Sequence, residues 1–167
     1  MVKVINFQVK ELPRLWVVGK ALKVDMTIPN PIPEFWGQCF KEEVFNTLET
    51  LSQYHLDNSY VGWMGDWQNE DGTFTYLCGM LMKVNTPLSE GFTYREIAKS
   101  KVAISWIQGL EAEVYPKAHE LSVKELEANG YQAKCFDWSM ELYNCPRYTQ
   151  QNDKGEIILD YYLPLKA

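Results

Sequence analysis

The sequence predicts an α+β fold of two pseudo-twofold-related β-α-β-β modules, with an antiparallel sheet and helices flanking a ligand cleft at their seam. Three observations predict it. The segment Phe7-Gln8-Val9-Lys10-Glu11-Leu12-Pro13-Arg14 returns eighty-five positions later as Phe92-Thr93-Tyr94-Arg95-Glu96-Ile97-Ala98-Lys99, with aromatic, basic, acidic and aliphatic residues in the same order. Each copy opens a stretch that reads strand, helix, strand, strand. The 167 residues suffice for one buried core or for two halves too small to be comfortable alone. Together these describe one domain, residues 1–167, with a first half at 1–85 and a second at 86–167. Duplicated units pack about a pseudo-twofold axis, and their seam is a natural place for a pocket.

The elements follow in order. Val2 to Val9 and Leu15 to Val24 are rich in β-branched and aromatic residues, and Glu11-Leu12-Pro13-Arg14 interrupts them, so a bent or broken β segment is expected. Pro29, Pro31 and Pro33 make an extended approach to a helix that starts at Pro33 and Glu34, where fixed φ and a negative charge suit a first turn. Its apolar stripe, Trp36, Phe40, Val44, Leu48 and Leu51, recurs at three-to-four spacing and predicts one helix to about Leu51, facing a sheet. Tyr60 to Met64 and Phe74 to Val84 read as a strand pair around the Gly- and Asp-rich loop 65–72.

In the second half, a β segment runs from Phe92 through Val102 to Trp106 and is broken at Gly109. Pro116 is placed to open the second helix, with Leu121, Val123 and Leu126 on its apolar side and Asn129-Gly130 as its stop. Trp138 to Tyr143 and Ile157 to Leu163 close the module around Asp153-Lys154-Gly155.

Composition excludes several functions. Sixteen Lys and Arg against twenty-two Asp and Glu leave a formal charge of -6, which repels a phosphate backbone and argues against direct nucleic-acid binding. No apolar run approaches the roughly twenty residues needed to span a bilayer, and the N-terminal residues lack a secretory h-region, so a cytoplasmic protein without membrane attachment is expected. Cys39, Cys78, Cys135 and Cys145 are scattered with no Cys-x-x-Cys pair and read as reduced, mostly buried thiols. His119-Glu120 lacks the second histidine of a zincin, since Val123 stands in its place, and no metal or cofactor is expected. Phosphate-binding loops and nucleophile elbows are absent from the sequence.

Two features carry chemistry. Glu141 lies inside the strand Trp138-Ser139-Met140-Glu141-Leu142-Tyr143, where period two puts it on the face of Ser139 and Tyr143. A carboxylate there is either an outward charge on a half-solvated sheet or an acid inside an aromatic pocket. Six Trp, ten Tyr and seven Phe make 14% of the chain, more than a small core needs, so some should line a cavity. Trp36, Phe40, Trp63, Trp106 and Tyr143 are the candidate lining, each also explicable as ordinary packing.

The repeat, the element order and the segments Glu11-Leu12-Pro13, Trp106-Ile107-Gln108-Gly109, Met140-Glu141-Leu142-Tyr143 and Tyr161-Tyr162-Leu163-Pro164-Leu165 resemble the GyrI-like small-molecule-binding domains over nearly the whole chain. That family also supplies the effector-binding regions of AraC-type and MerR-type multidrug regulators. The resemblance implies two β-α-β-β modules flanking an aromatic cleft, with a strand glutamate as polar anchor, and Glu141 is the matching position. No helix-turn-helix accompanies the two modules, so autonomous transcriptional regulation is not expected.

Three functions follow from the resemblance. As a binding module, the cleft would hold an aromatic or cationic small molecule between Trp and Tyr rings, with Glu141 countering its charge. As a hydrolase resembling those that open cyclopropanoid DNA-alkylating antibiotics such as yatakemycin and CC-1065, Glu141 would serve as general base and Tyr143 as hydrogen-bond donor, with no metal or cofactor. As an interaction protein, the chain would sequester a protein partner such as gyrase through acidic surface.

Overall fold

The computed structural model describes residues 1–134 and 136–166. Eight antiparallel strands form one sheet: β1 (Lys3–Leu12), β2 (Leu15–Val24), β3 (Tyr60–Gly65), β4 (Phe74–Met82), β5 (Thr93–Ile97), β6 (Ser100–Gly109), β7 (Ser139–Tyr143) and β8 (Ile157–Pro164). Three helices, α1 (Ile32–Lys41), α2 (Val44–Glu49) and α3 (Glu111–Ala128), complete the α+β architecture, with a short 3₁₀ turn at Ser52–Tyr54.

The strand order is β1-β6-β8-β7-β3-β4-β2-β5. Its centre is the β7–β3 pair, and each strand left of the seam has its counterpart at the same distance on the right. The eighty-five-residue offset of the sequence echo carries Leu15–Val24 onto Ser100–Gly109, the two strands next to the edges. The opening strand of each half is given to the other half: β1 pairs with β6 from Lys3↔Gln108 to Leu12↔Ser100, and β5 pairs with β2 from Leu15↔Ile97 to Gly19↔Thr93. The expected bent segment is thus two strands that do not pair with each other. Pro13 lacks the N–H that a continuous ladder needs, so the chain turns there and crosses to the far side of the sheet.

This exchange dictates the sheet's shape. β1 and β2 stand six places apart, about 29 Å on a flat sheet, yet the two-residue link between them spans at most about 11 Å. The sheet must bend until its edges approach at this end. The helix-free face folds inward: one apolar cluster there draws on all eight strands, including Leu12, Leu15, Val61, Leu77, Ile97, Ile104, Leu142 and Tyr162.

The other face carries the helices. Cys39 of α1 and Val44, Phe45 and Leu48 of α2 bury against Val18, Tyr76, Cys78 and Met80. Val114, Ala118 and Leu126 of α3 bury against Ala103, Ile107, Leu159 and Tyr161. Phe45 and Leu48 are at most 1% exposed, and each contributes roughly 1.5–3 kcal/mol by leaving water.

Two expectations are corrected. The predicted long first helix breaks at Glu43, whose φ of 58° is left-handed, so Trp36 and Phe40 keep one heading while Phe45 and Leu48 turn into the core. A non-glycine residue there costs about 1–2 kcal/mol, recovered by that burial. The second helix opens at Glu111 rather than Pro116, which lies inside it. Glu111 and Glu113 supply the first-turn negative charge, and Pro116 removes one intrahelical hydrogen bond. Among the thiols, Cys39 and Cys78 are buried, but Cys145 is exposed in the loop after β7, and Cys135 lies outside the described residues.

Candidate functional site

The β3–β7 seam forms the floor of a cleft between the helices of the two halves. In register there, Tyr60 faces Tyr143 and Gly62 faces Glu141, while Met64 pairs with Tyr76 of β4. Residues paired across an antiparallel ladder point to the same side, so Tyr60, Gly62, Met64, Tyr76, Glu141 and Tyr143 share the helix-bearing face. Gly62 makes the arrangement possible: a Cβ there would lie 2.1 Å from the Tyr76 hydroxyl and 3.3 Å from Glu141 Oε1. Lacking a side chain, it leaves room for those two groups to meet.

Glu141 is 8% exposed. Its Oε1 accepts hydrogen bonds from the Tyr143 hydroxyl at 3.1 Å and the Tyr76 hydroxyl at 3.2 Å, and it enters no ion pair among the described residues. Burial pushes its carboxyl up to about 7, partly offset by the Tyr143 and Tyr76 hydroxyls, which favour the anion. Both phenols are held well above their ordinary range, by burial first and then by the charge of Glu141. They are therefore fixed donors at neutral pH. Of the two sequence alternatives for this residue, the outward-facing charge is excluded.

The aromatic walls are built on this floor. From α1, Trp36 donates its indole N–H to the Tyr76 hydroxyl at 2.8 Å and stands edge-on to Tyr143, with ring centroids 5.2 Å apart. Its other face stacks on Phe45 at 5.4 Å, and Phe45 in turn stacks on Tyr60 at 4.0 Å. On the second-half side, Tyr143 packs edge-on against Tyr148 at 4.8 Å, and the hydroxyls of Tyr148 and Tyr115 are hydrogen-bonded. Phe40, 55% exposed, stands at the rim. The enclosed space is about 950 Å³, bordered also by Asn30, Glu49, Glu111 and Cys145, a volume fit for a drug-sized molecule.

Of the residues singled out by sequence, Trp36, Phe40, Glu141 and Tyr143 come together here. Trp63 and Trp106 do not: both lie on the opposite face of the sheet, against the inward-folded cluster. Trp63 pairs with Met140, one residue from Glu141 and hence pointing the other way, and it borders a smaller cavity of about 430 Å³ with Arg95 and Trp138. Trp106 lies beneath the Arg147 guanidinium, 4.0 Å from the ring centroid, and Arg147 is held by both carboxylate oxygens of Asp160. Sequence reasoning missed Gly62, Tyr60, Tyr76, Tyr115 and Tyr148. Period-two reading of the predicted strands flags Tyr60 and Tyr76, but only the register shows that Tyr76 meets Glu141 and that Tyr60 faces Tyr143.

Among the described residues there is no cluster of His, Cys, Asp and Glu fit to hold a metal and no helix long and apolar enough to cross a membrane.

Comparison with known proteins places this geometry. No curated protein matches the sequence. A structure of SAV2435 bound to tetraphenylphosphonium superposes with a TM-score of 0.68 at 17% identity, over 98% of this chain and 95% of that one. A protein from Staphylococcus aureus MU50 gives 0.67 at 20% identity, over 97% and 99%. The EcmrR C-terminal domain gives 0.63 at 14%, over 96% and 97%. At these identities the likeness is one of fold. The family model for the GyrI-like small molecule binding domain matches residues 5–166. With that match spanning both halves and the cleft between them, the chain belongs to the GyrI-like small molecule binding domain family.

Proposed function

We propose that this protein binds aromatic cations and aromatic DNA-alkylating compounds in the cleft, with Glu141 as anchor and Trp36, Phe40 and Tyr143 in contact with the ligand. One observation carries the reading: a carboxylate nine-tenths buried beneath aromatic rings, with two hydroxyl donors and, among the described residues, no ion-pair partner. Desolvating a carboxylate costs free energy that two neutral donors only partly recover. A ligand cation supplies the missing charge, and each ring adds roughly 0.5–2 kcal/mol of cation–π attraction. The structural neighbour seen with tetraphenylphosphonium supports the same class of ligand. The hollow cleft also favours a small molecule over capture of a protein partner such as gyrase.

Titration with tetraphenylphosphonium, followed by tryptophan fluorescence, tests this. Saturable binding is expected, weakened about tenfold or more in Glu141→Gln, the loss of one charge-assisted contact. Equal affinity in the variant, or no binding at all, sinks the reading.

A catalytic reading is favoured by the Glu141 carboxyl standing near 7, where a general base is both ionised and basic enough to take a proton. On a cyclopropanoid such as yatakemycin or CC-1065, Glu141 would remove a proton from water as its oxygen attacks a cyclopropane carbon. The strained C–C bond breaks, and its electrons pass through the ring to the carbonyl oxygen, which becomes a phenolate. Tyr143 would turn from Glu141 to donate its hydrogen bond to that oxygen. General-base assistance of this kind is worth about 10²- to 10⁴-fold. Mass spectrometry of the ring-opened product with wild type and Glu141→Gln decides: multiple turnovers lost in the variant support hydrolysis, and a stoichiometric complex without turnover leaves binding alone.

A further inference from the structure

Glu141 is not the sole carboxylate of the cleft. Glu49, at the end of α2, and Glu111, the first residue of α3, border it from the two halves, and among the described residues that border it there is no Lys, Arg or His. Glu49 is held by the Tyr60 hydroxyl, which donates to its Oε1. Tyr60 faces Tyr143 in the ladder, two residues along the strand from Glu141. The Glu49 carboxylate, at the far end of the Tyr60 side chain, therefore stands on the order of 10 Å from that of Glu141. On the other side, Tyr143 packs against Tyr148, whose phenol is raised after burial by the nearby charge of Glu111. Neither Glu49 nor Glu111 forms an ion pair among the described residues. The cleft thus has an anionic floor and an anionic rim, separated by tyrosine rings.

We propose that the cleft selects ligands with two cationic centres on one aromatic frame, the first seated on Glu141 and the second held at the rim by Glu49 or Glu111. This rests on the reading of the cleft as a cation site and adds its selectivity. A monocation satisfies the buried floor and leaves the rim carboxylates to water. A rigid dication reaches both poles without ordering a flexible tail, so the second charge comes with little further entropy cost. The rim carboxylates are exposed, so their share is screened by salt while that of Glu141 is not.

Two probes of nearly equal shape test the proposal: N-methyl-4-phenylpyridinium, with one charge, and N,N′-dimethyl-4,4′-bipyridinium, with two. Calorimetric titration at pH 8, where Glu141 is ionised, should show the dication bound about fivefold tighter at low ionic strength, as one exposed ion pair permits. The ratio should fall toward one in Glu49→Gln/Glu111→Gln and in high salt, because dication affinity falls further than monocation affinity. Gln at position 49 still accepts from Tyr60, and a thermal melt confirms that the variant is folded. Equal affinity of both probes for wild type, or a ratio that survives in the double variant, overturns the proposal while leaving the cation cleft intact. Binding of neither probe overturns the cation cleft itself.

Discussion

The hydroxyl of Tyr76 reaches Glu141 Oε1, at 3.2 Å, through the space that Gly62 leaves above its backbone. Two strands on opposite sides of β3 are thereby joined by a polar contact, and a glycine between them is where that contact is made.

Gly62→Ala should damage the site more than its size suggests. The new methyl would stand 2.1 Å from the Tyr76 oxygen, and Tyr76 is 1% exposed, with little room to retreat. Overpacking of this kind costs about 1–3 kcal/mol. A chemical-denaturation midpoint lowered accordingly, with loss of ligand binding, is expected; wild-type stability and affinity would show that Tyr76 moves freely.

Ligand binding should follow the ionisation of Glu141. With its carboxyl at about 7, affinity for an aromatic cation rises roughly tenfold per unit from pH 5 to 7 and levels above, since only the anion carries the charge. Stability runs the other way. The unfolded carboxyl titrates near 4.3, so between that value and about 7 the folded chain holds a proton that the unfolded chain has released. The contribution is complete below the lower value and lost as pH rises through the upper one, about 4 kcal/mol in all. Subtracting the pH–stability curve of Glu141→Gln isolates it; a flat difference would contradict the assignment.

Tyr143→Phe removes a donor that favours the anion. The binding midpoint should move upward by about half to one pH unit, while Kd at pH 8.5 changes little because phenylalanine keeps the ring that faces the ligand. Titration series across pH check this: affinity lowered equally at every pH would show that the ligand itself takes the Tyr143 hydroxyl.

Trp36→Leu keeps an apolar side chain on α1 but removes the ring against Tyr143 and the indole donor to Tyr76. Affinity for aromatic cations should fall about tenfold, the loss of one strong cation–π wall, while the melting temperature drops only slightly because Trp36 is half-buried. A fall in melting temperature comparable with that expected for Phe45→Ala, a core deletion of about 3–5 kcal/mol, would instead make Trp36 a structural residue.

Arg147→Met tests the loop that carries Tyr148. Asp160 is 2% exposed and receives two hydrogen bonds from Arg147, at 2.6 and 3.1 Å. Removing the guanidinium strands a buried carboxylate, a loss of about 3–5 kcal/mol. The deficit should be largest at neutral pH and shrink in acid, where Asp160 takes up a proton. An equal loss at pH 4 and pH 8 would attribute the effect to packing on Trp106.

Much of the fold was legible along the chain. The strand pair after the first helix and the closing pair at 139–143 and 157–164 fall where alternation and Gly- or Asp-rich turns put them. The break at Glu43 was not legible, because a left-handed residue is ordinarily announced by Gly or Asn and here its cost is met by the burial of Phe45. Nor was the start of α3, where an expected proline opener is a tolerated interior residue.

The site divides along the same line. Glu141 and Tyr143 are two apart on one strand, so period two alone places them on one face, and the helical spacing of Trp36 and Phe40 puts them on one side of α1. Those relations are covalently short and depend on local backbone geometry. Which face holds the cleft, that Tyr76 meets Glu141 over Gly62 while Tyr60 faces Tyr143, and that Trp63 and Trp106 look away from it follow from strand register across the seam. So does the exchange of β1 and β5 between halves. Such pairings are set by burial summed over the whole sheet, in which residues far apart in the chain compete for one core, and no local pattern encodes the outcome.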